Sequence, residues 1–161
     1  MHNEDFLRSC AQRKDGIRLV EPSDNLCSSY IKMARESLES MNANISAGVR
    51  RWALVASYYA RYNALYAVFM KIGLKCEIHD CTLNAAKVLL GIKPGLVREI
   101  EKSKEHRINM QYYADRTVSD KDYAENIESA PAFVIAMEKV ALDITTDDIS
   151  RIRRKFEDMM S

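Results

Sequence analysis

The sequence predicts an all-α protein, an up-and-down bundle of four to five main helices followed by a C-terminal helix. Apolar residues recur at intervals of three and four over most of the chain, which is the spacing of one helix face. Only five glycines and three prolines interrupt the 161 residues, fewer than strands joined by tight turns require. Serine or threonine precedes several of the apolar segments, as expected for helix N-caps.

Composition and charge exclude several classes of protein. The 24 basic and 23 acidic residues leave a net charge of +1, so any nucleic-acid binding depends on a local patch. The uncharged segments Trp52–Ala60 and Tyr62–Met70 are separated by Arg61, and each is shorter than the roughly 18 residues of a membrane span. The polar start, Met1–Asp5, does not look like a signal peptide. We therefore expect one cytoplasmic domain over residues 1–161, without a membrane partner.

The four cysteines, at positions 10, 27, 76 and 81, are expected to be free thiols in a domain of this size without an export signal. Cys76, His79 and Cys81 have the spacing C-x2-H-x-C, which raises the possibility of zinc. A structural zinc site needs a fourth ligand, and the neighbouring sequence offers none. The sequence therefore predicts no metal and no cofactor.

The helices are placed by their caps and their apolar periodicity. Residues 1–22 are expected to form an N-terminal arm, with Gly16–Val20 extended and Pro22 ending it. The bundle is assigned to residues 23–142 and the last helix, with Thr145 or Thr146 as its cap, to residues 145–161. Within the bundle the first predicted helix runs from a Ser23 cap to Met41, and a loop at Asn42–Asn44 leads to a second helix over Ser46–Lys71. A connection over Ile72–Asp80 precedes a third helix over Thr82–Leu90. One or two helices follow over Val97–Ala114, and then a helix from a Ser119 cap that is kinked at Pro131.

The second predicted helix is the most informative, because Arg61 is its only charge between Trp52 and Met70. A surface helix carries charges at every turn of one face. This helix is therefore central, or it faces both the core and a partner subunit. We predict a two-fold symmetric homodimer that buries part of this helix or of the one beside it. Four tyrosines lie along it at spacings of three and four, and they form either core or the floor of a nucleotide pocket, with core favoured. These are Tyr58, Tyr59, Tyr62 and Tyr66.

Five segments, in constant order and spacing over about residues 16–142, form a family pattern. They are Gly16–Pro22 with Tyr30–Leu38, Ser57–Ala67, Lys71–Gly73 with Glu77–His79, Arg107–Tyr113, and a late helix with Ala130, Phe133 and Val134. Together they resemble the HEPN family, in particular its archaeal members. The resemblance implies a helical bundle, frequent homodimers and roles linked to nucleotides or RNA. Many members are encoded beside a minimal nucleotidyltransferase as toxin–antitoxin pairs, and others are ribonucleases.

The catalytic motif of the ribonuclease members, an arginine followed after four to six residues by a histidine, is missing. His2 has no arginine before it. The arginine of the motif would stand at position 72, 73 or 74 for His79 and at position 99, 100 or 101 for His106, and none of these positions holds an arginine. The absence favours binding over cleavage.

Arg107 resembles the family's arginine, with Tyr112 and Tyr113 near the place of the histidine. Tyrosine, with an ordinary pKa near 10, is a poor base at neutral pH, but its ring stacks well on a nucleobase. We expect a nucleotide site where the loop Lys75–Asp80 approaches Arg107, formed by Lys75, His79, Arg107, Tyr112 and Tyr113. The simpler alternatives make His79 a cap of the third helix and Arg107 an ion-pair partner of Glu105 or Asp115.

Three functions compete at this stage. The first is a binding and interaction module for a nucleotide, an RNA or a nucleotidyltransferase partner, and the missing motif favours it. The second is an atypical, metal-independent ribonuclease that uses Arg107 with His79 or Tyr112. The third is a structural accessory protein without a ligand. The basic end of the last helix, Arg151–Lys155, is either an RNA contact or a solvated helix end.

Overall fold

The computed structural model describes residues 3–161, so His2 lies outside the described residues. Helices dominate that range, and the prediction of an all-α bundle is confirmed. The elements are α1 (Asn3–Ala11), β1 (Arg18–Leu19), α2 (Asp24–Ser46), α3 (Arg50–Ile72), β2 (Leu74–Lys75), α4 (His79–Val88), α5 (Pro94–Tyr112), α6 (Asp120–Asp143) and α7 (Thr146–Met160).

The predicted caps stand at the starts of three helices. Ser23 Oγ accepts a hydrogen bond from the backbone N–H of Leu26 at 3.1 Å, which fixes the start of α2. Ser119 does the same for α6, and Thr145 forms a reciprocal capping box with Asp148 at α7. The local sequence therefore determines where these helices begin.

Helix α3 lies at the centre of the bundle, packed against α2, α5 and α6. From Ala53 to Ile72 every side chain is buried except Tyr59 and Lys71, which are half-buried. The absence of charge on this helix is thus explained by burial within one chain. Helix α3 is central, as the first of the two alternatives predicts, and the homodimer stays a prediction.

A buried arginine ties the three helices together. Arg61 is 0% exposed, and its Nε donates to the carboxylate of Glu99 on α5 at 3.0 Å. Its two terminal nitrogens reach oxygen atoms on all three helices, namely those of Ser57, Ser103, Asn126 and Ser129. Burial lowers the pKa of Arg61 and the charge of Glu99 opposes that effect. Because its donors are used, the guanidinium fixes the positions of α5 and α6 against α3.

A small sheet and an arginine close the C-terminal end of α3. Strands β1 and β2 pair antiparallel, as expected for a short extended segment near Gly16–Val20. Gly73 ends α3 with φ +81°, and a Cβ there would overlap the carbonyl oxygen of Val20. Arg153 on α7 donates to the carbonyl oxygens of Val20, Ile72 and Gly73 at 2.7–3.2 Å. The last helix is therefore attached to the same point.

Residues 3–11 form helix α1, whereas the sequence predicts an N-terminal arm over residues 1–22. Its buried residues, Leu7 and Cys10, pack against α4. Cys10 also forms a disulfide with Cys81, so the expectation of free thiols is wrong for these two and holds for Cys27 and Cys76. Sequence periodicity is weak over so short a helix, and contacts with α4 and α7 stabilise it.

Two other boundaries differ from the sequence-based prediction, those of α2 and α4. Helix α2 continues through the expected loop at Asn42–Asn44, whereas α5 is the single helix among the two alternatives and α6 contains Pro131 as predicted. Helix α4 begins at His79, which therefore lies in its first turn and not in a loop. Within residues 3–161 no helix is both long and apolar enough to cross a bilayer. The cytoplasmic location stays a prediction. A disulfide such as Cys10–Cys81 is rare in proteins of a reducing cytosol.

The Arg61 cluster generates a stability prediction. Arg61→Ala leaves the buried hydroxyls and amide of its partners without a donor, and we expect a loss of about 3 kcal/mol in the free energy of unfolding, measured in urea. The control is Arg35→Ala, which removes an exposed pair with Glu138 and should lose less than about 1 kcal/mol. Equal losses in the two variants would contradict the role given to Arg61.

The disulfide generates a second prediction. It joins residues 71 positions apart, and a loop of that length stabilises the folded chain by about 4 kcal/mol in the chain-entropy account. We expect Cys10→Ala/Cys81→Ala to lose stability of that order, and a reductant to destabilise the wild-type protein but not the double variant. Cys27→Ala, which leaves the bond intact, should keep the response to reductant. A wild-type melting temperature that is unchanged by reductant would refute this.

Candidate functional site

The ring of Tyr58 on α3 is the centre of the candidate site. It is 0% exposed, and its hydroxyl lies 2.5 Å from Nδ1 of His79 in the first turn of α4. The His79 ring stacks face to face on Tyr62, with ring centres 4.1 Å apart and 6° between the planes. The hydroxyl of Tyr66 accepts the backbone N–H of Cys76 at 3.1 Å, so the segment before α4 is also held by α3. The tyrosines of α3 therefore position His79.

Arg107 reaches the same ring from α5. Its guanidinium carbon lies 4.9 Å from the centre of the Tyr58 ring, 5.8 Å from Tyr59 and 5.9 Å from Tyr112, which are cation–π distances. The residue is 8% exposed, and its one side-chain hydrogen bond runs from Nη1 to Gln111 at 3.3 Å. Its Nε is buried without a partner. Arg107 is a buried cation held by aromatic rings.

No carboxylate within residues 3–161 forms an ion pair with Arg107. The alternative in which it pairs with Glu105 or Asp115 is therefore wrong. A buried charge without a counter-charge costs several kcal/mol, and each desolvated cation–π contact offsets about 2 kcal/mol of that cost. Arg107 is therefore a candidate for binding an anion.

His79 is neutral at this site. Burial, followed by the nearby charges of Arg107 and Lys104, lowers its pKa to about 4. Burial also raises the pKa of Tyr58, so the phenol stays protonated and can donate to Nδ1 of the neutral imidazole. In that tautomer Nε2 carries the ring proton. His79 can offer a hydrogen bond to a ligand, but it does not offer a positive charge at pH 7.

The structure brings together three of the five residues that the sequence proposed for the site. His79 and Arg107 both contact the Tyr58 ring, and Tyr112 lies 5.9 Å from the guanidinium carbon of Arg107. Lys75 pairs instead with Glu77 at 3.3 Å, beside the small sheet. Tyr113 is covered by the guanidinium of Arg116, 3.6 Å from its ring centre. The reading of His79 as a helix cap is also wrong, since Ile78 is the N-cap residue of α4 and no side chain caps it.

The sequence predicts Tyr58 and Tyr59 as core or as the floor of a nucleotide pocket, with core favoured. Their contact with Arg107 depends on where α5 packs, which the sequence does not show. Lys104, one turn before Arg107, was missed; it forms an ion pair with Asp80 and its side chain is 20% exposed. The i to i+3 spacing of Lys104 and Arg107 was the available signal, because it places both cations on one helix face.

Larger clefts lie elsewhere and carry weaker chemistry. One of about 630 Å³ lies between α1 and α7, with Arg151, Arg154 and Lys155 among its walls. Arg151 pairs with Asp148, and Lys155 donates to the carbonyl of Val88. A second, of about 470 Å³, opens over Arg61 and has four carboxylates at its rim, from Glu99, Asp122, Glu125 and Glu128. Neither cleft contains a buried charge without a partner, so cleft size does not identify the site.

Comparison with known proteins gives one finding. A family model described as HEPN domain matches residues 27–140, from the first turn of α2 to near the end of α6. That range contains Tyr58, His79 and Arg107, and it leaves out α1 and α7. No curated protein matches the chain.

The state of His79 generates a prediction about pH. Its pKa is about 4 in the folded protein against an ordinary 6.5, so between these values only the unfolded chain takes up the proton. The free energy of unfolding should therefore fall as pH drops from about 7 to about 4, and His79→Gln should flatten this decrease. His106 is also buried with a lowered pKa and adds a fall in the same direction. His106→Gln is thus the control that keeps the contribution of His79. A nuclear magnetic resonance titration that places His79 near 6.5 would contradict the assignment.

Proposed function

The chain belongs to the HEPN family, and on that premise we propose that it binds the phosphate of a nucleotide, either free or within RNA. One observation carries the proposal: the guanidinium of Arg107 is buried over Tyr58 and Tyr59 without a carboxylate partner. An anionic ligand removes the cost of that charge. Arginine suits a phosphate because its donors form a planar fork that matches two phosphate oxygens.

Neighbouring residues supply the rest of the site. Lys104 adds a second positive charge, which Asp80 neutralises until an anion competes for it. His79 presents Nε2–H as a neutral donor, and Tyr112, 64% exposed and beside Arg107, offers an aromatic face at the surface. These groups bind a phosphate without a glycine-rich loop. They come from α3, α4 and α5, so the site is rigid before the ligand arrives.

A ribonuclease is the second candidate, and the nearness of His79 and Arg107 around Tyr58 favours it. Against it, a base with a pKa of about 4 is poorly matched to neutral pH, where general bases work best with a pKa near 7. We expect no cleavage of a mixed single-stranded RNA by the purified protein. Cleavage that disappears in both Arg107→Met and His79→Gln would promote the enzyme over the binding module.

We extend the proposal to two partners that the family resemblance implies, a second copy of the chain and a minimal nucleotidyltransferase. The exposed apolar side chains of α2 and α6, among them Met33, Ile135 and Leu142, are available for such contacts. Light scattering at micromolar concentration should give twice the mass of one chain. Co-purification with a nucleotidyltransferase encoded beside this protein would support the second partner.

Arg107→Met provides the sharpest test of the proposed function. The variant keeps an unbranched side chain of similar length on Tyr58 and removes the buried charge. We expect it to lose at least about ten-fold in affinity for AMP and for a short oligoadenylate, since a charged hydrogen bond contributes about 1.5–3 kcal/mol. We also expect its stability in urea to stay equal or to rise, because an unpaired buried charge has been replaced by an apolar group.

The matched control is Arg116→Met, which lies nine positions later, is exposed and stacks on Tyr113. It should bind as the wild-type protein does. If Arg107→Met unfolds the protein, or if both variants bind AMP with unchanged affinity in calorimetry, Arg107 is structural and the proposal is wrong.

A further inference from the structure

A cleft of about 450 Å³ opens between α2 and α3 next to the phosphate site. We call it the Trp52 cleft, and its defining residues are Trp52, Tyr59, Asn44 and Asn63. Two aromatic rings and two side-chain amides thus face one space, with Ser37 and Ser40 on the α2 wall. Neither the sequence pattern nor the family match drew attention to it.

Tyr59 connects this cleft to the proposed phosphate site. Its half-buried ring lines the cleft, and the ring centre lies 5.8 Å from the guanidinium carbon of Arg107. A group in the cleft and an anion on Arg107 are therefore both neighbours of the Tyr59 side chain.

Polar groups of the cleft remain available to a ligand. The Asn44 amide donates one hydrogen bond, to the backbone carbonyl of Ser40 at 2.8 Å. Asn63 is 8% exposed, and its amide reaches only Ser37 Oγ, at the long distance of 3.5 Å. Ser37 already donates to the carbonyl of Met33 at 2.8 Å. The carbonyl oxygen of the Asn63 side chain forms no hydrogen bond within residues 3–161 and is open to this space. An acyl chain or another purely apolar ligand would leave it unpaired.

Trp52 is 48% exposed, although large aromatic side chains are usually buried. A flat aromatic face beside amide donors and acceptors is complementary to a nucleobase, which stacks through its face and forms hydrogen bonds through its edge. We infer that the Trp52 cleft holds the base of a nucleotide whose phosphate lies on Arg107. This inference rests on the proposed function and adds the position of the base. The nucleotide is either free or part of a single strand.

The test uses the intrinsic fluorescence of Trp52, the only tryptophan of the chain. The full-length protein is titrated with AMP, with ribose phosphate, which has the sugar and phosphate but no base, and with a short oligoadenylate. We expect AMP to quench the fluorescence and to bind about ten-fold more tightly than ribose phosphate, which should bind without quenching. In calorimetry, Trp52→Ala should bind AMP and ribose phosphate with similar affinity. Val49→Ala, an exposed apolar control three residues away and outside the cleft, should behave as wild type.

The outcomes separate this inference from the proposed function. Quenching by AMP assigns a free nucleotide, and quenching by the oligoadenylate alone assigns a single strand; each supports the inference. The base subsite is wrong, and the phosphate site stands, if three results occur together: AMP and ribose phosphate bind with equal affinity, Arg107→Met weakens the binding of both, and neither ligand changes the fluorescence of Trp52. If none of the three ligands binds, the proposed function fails and the base subsite fails with it.

Discussion

The buried guanidinium of Arg61 is the interaction on which the rest of this bundle depends. It lies in the middle of the central helix, and its hydrogen bonds to Glu99 and Asn126 hold α5 and α6 in one register against α3. Helix packing alone allows neighbouring registers of similar energy, whereas a buried cation is satisfied in only one. Since Arg107 is on α5, eight residues after Glu99, that register also sets Arg107 over the Tyr58 ring.

The two buried arginines of the bundle differ in a way that separates structure from function. Arg61 has a carboxylate and several oxygen atoms as partners, so its burial is compensated within the chain. Arg107 is almost as buried, but it has aromatic rings, one glutamine contact and an Nε without a partner. A folded protein retains such an uncompensated group mainly where a ligand completes it. The contrast identifies the candidate site better than cavity size does.

His79 is held in place by contacts with more than one helix. The disulfide between Cys10 and Cys81 attaches α4 to α1, and Tyr62 and Tyr58 fix the imidazole from the side of α3. The histidine is consequently desolvated and neutral, which removes it as a cation and retains it as an oriented donor. In the proposed site His79 is therefore a hydrogen-bond donor and not a cation.

The sequence by itself determined the helical class, the caps at Ser23, Ser119 and Thr145 and the burial of α3, and it indicated Arg107 as a candidate site residue. These follow from local capping chemistry, periodicity and the motif order of the family. Only the tertiary structure decided the rest. Helix α1 and the Cys10–Cys81 bond depend on contacts between segments about 70 residues apart, which leave no periodic trace. The replacement of Lys75 and Tyr113 by Tyr58 and Tyr59 in the site depends on which faces of α3 and α5 meet. That meeting is set by long-range packing around Arg61, and a sequence read one segment at a time does not contain it.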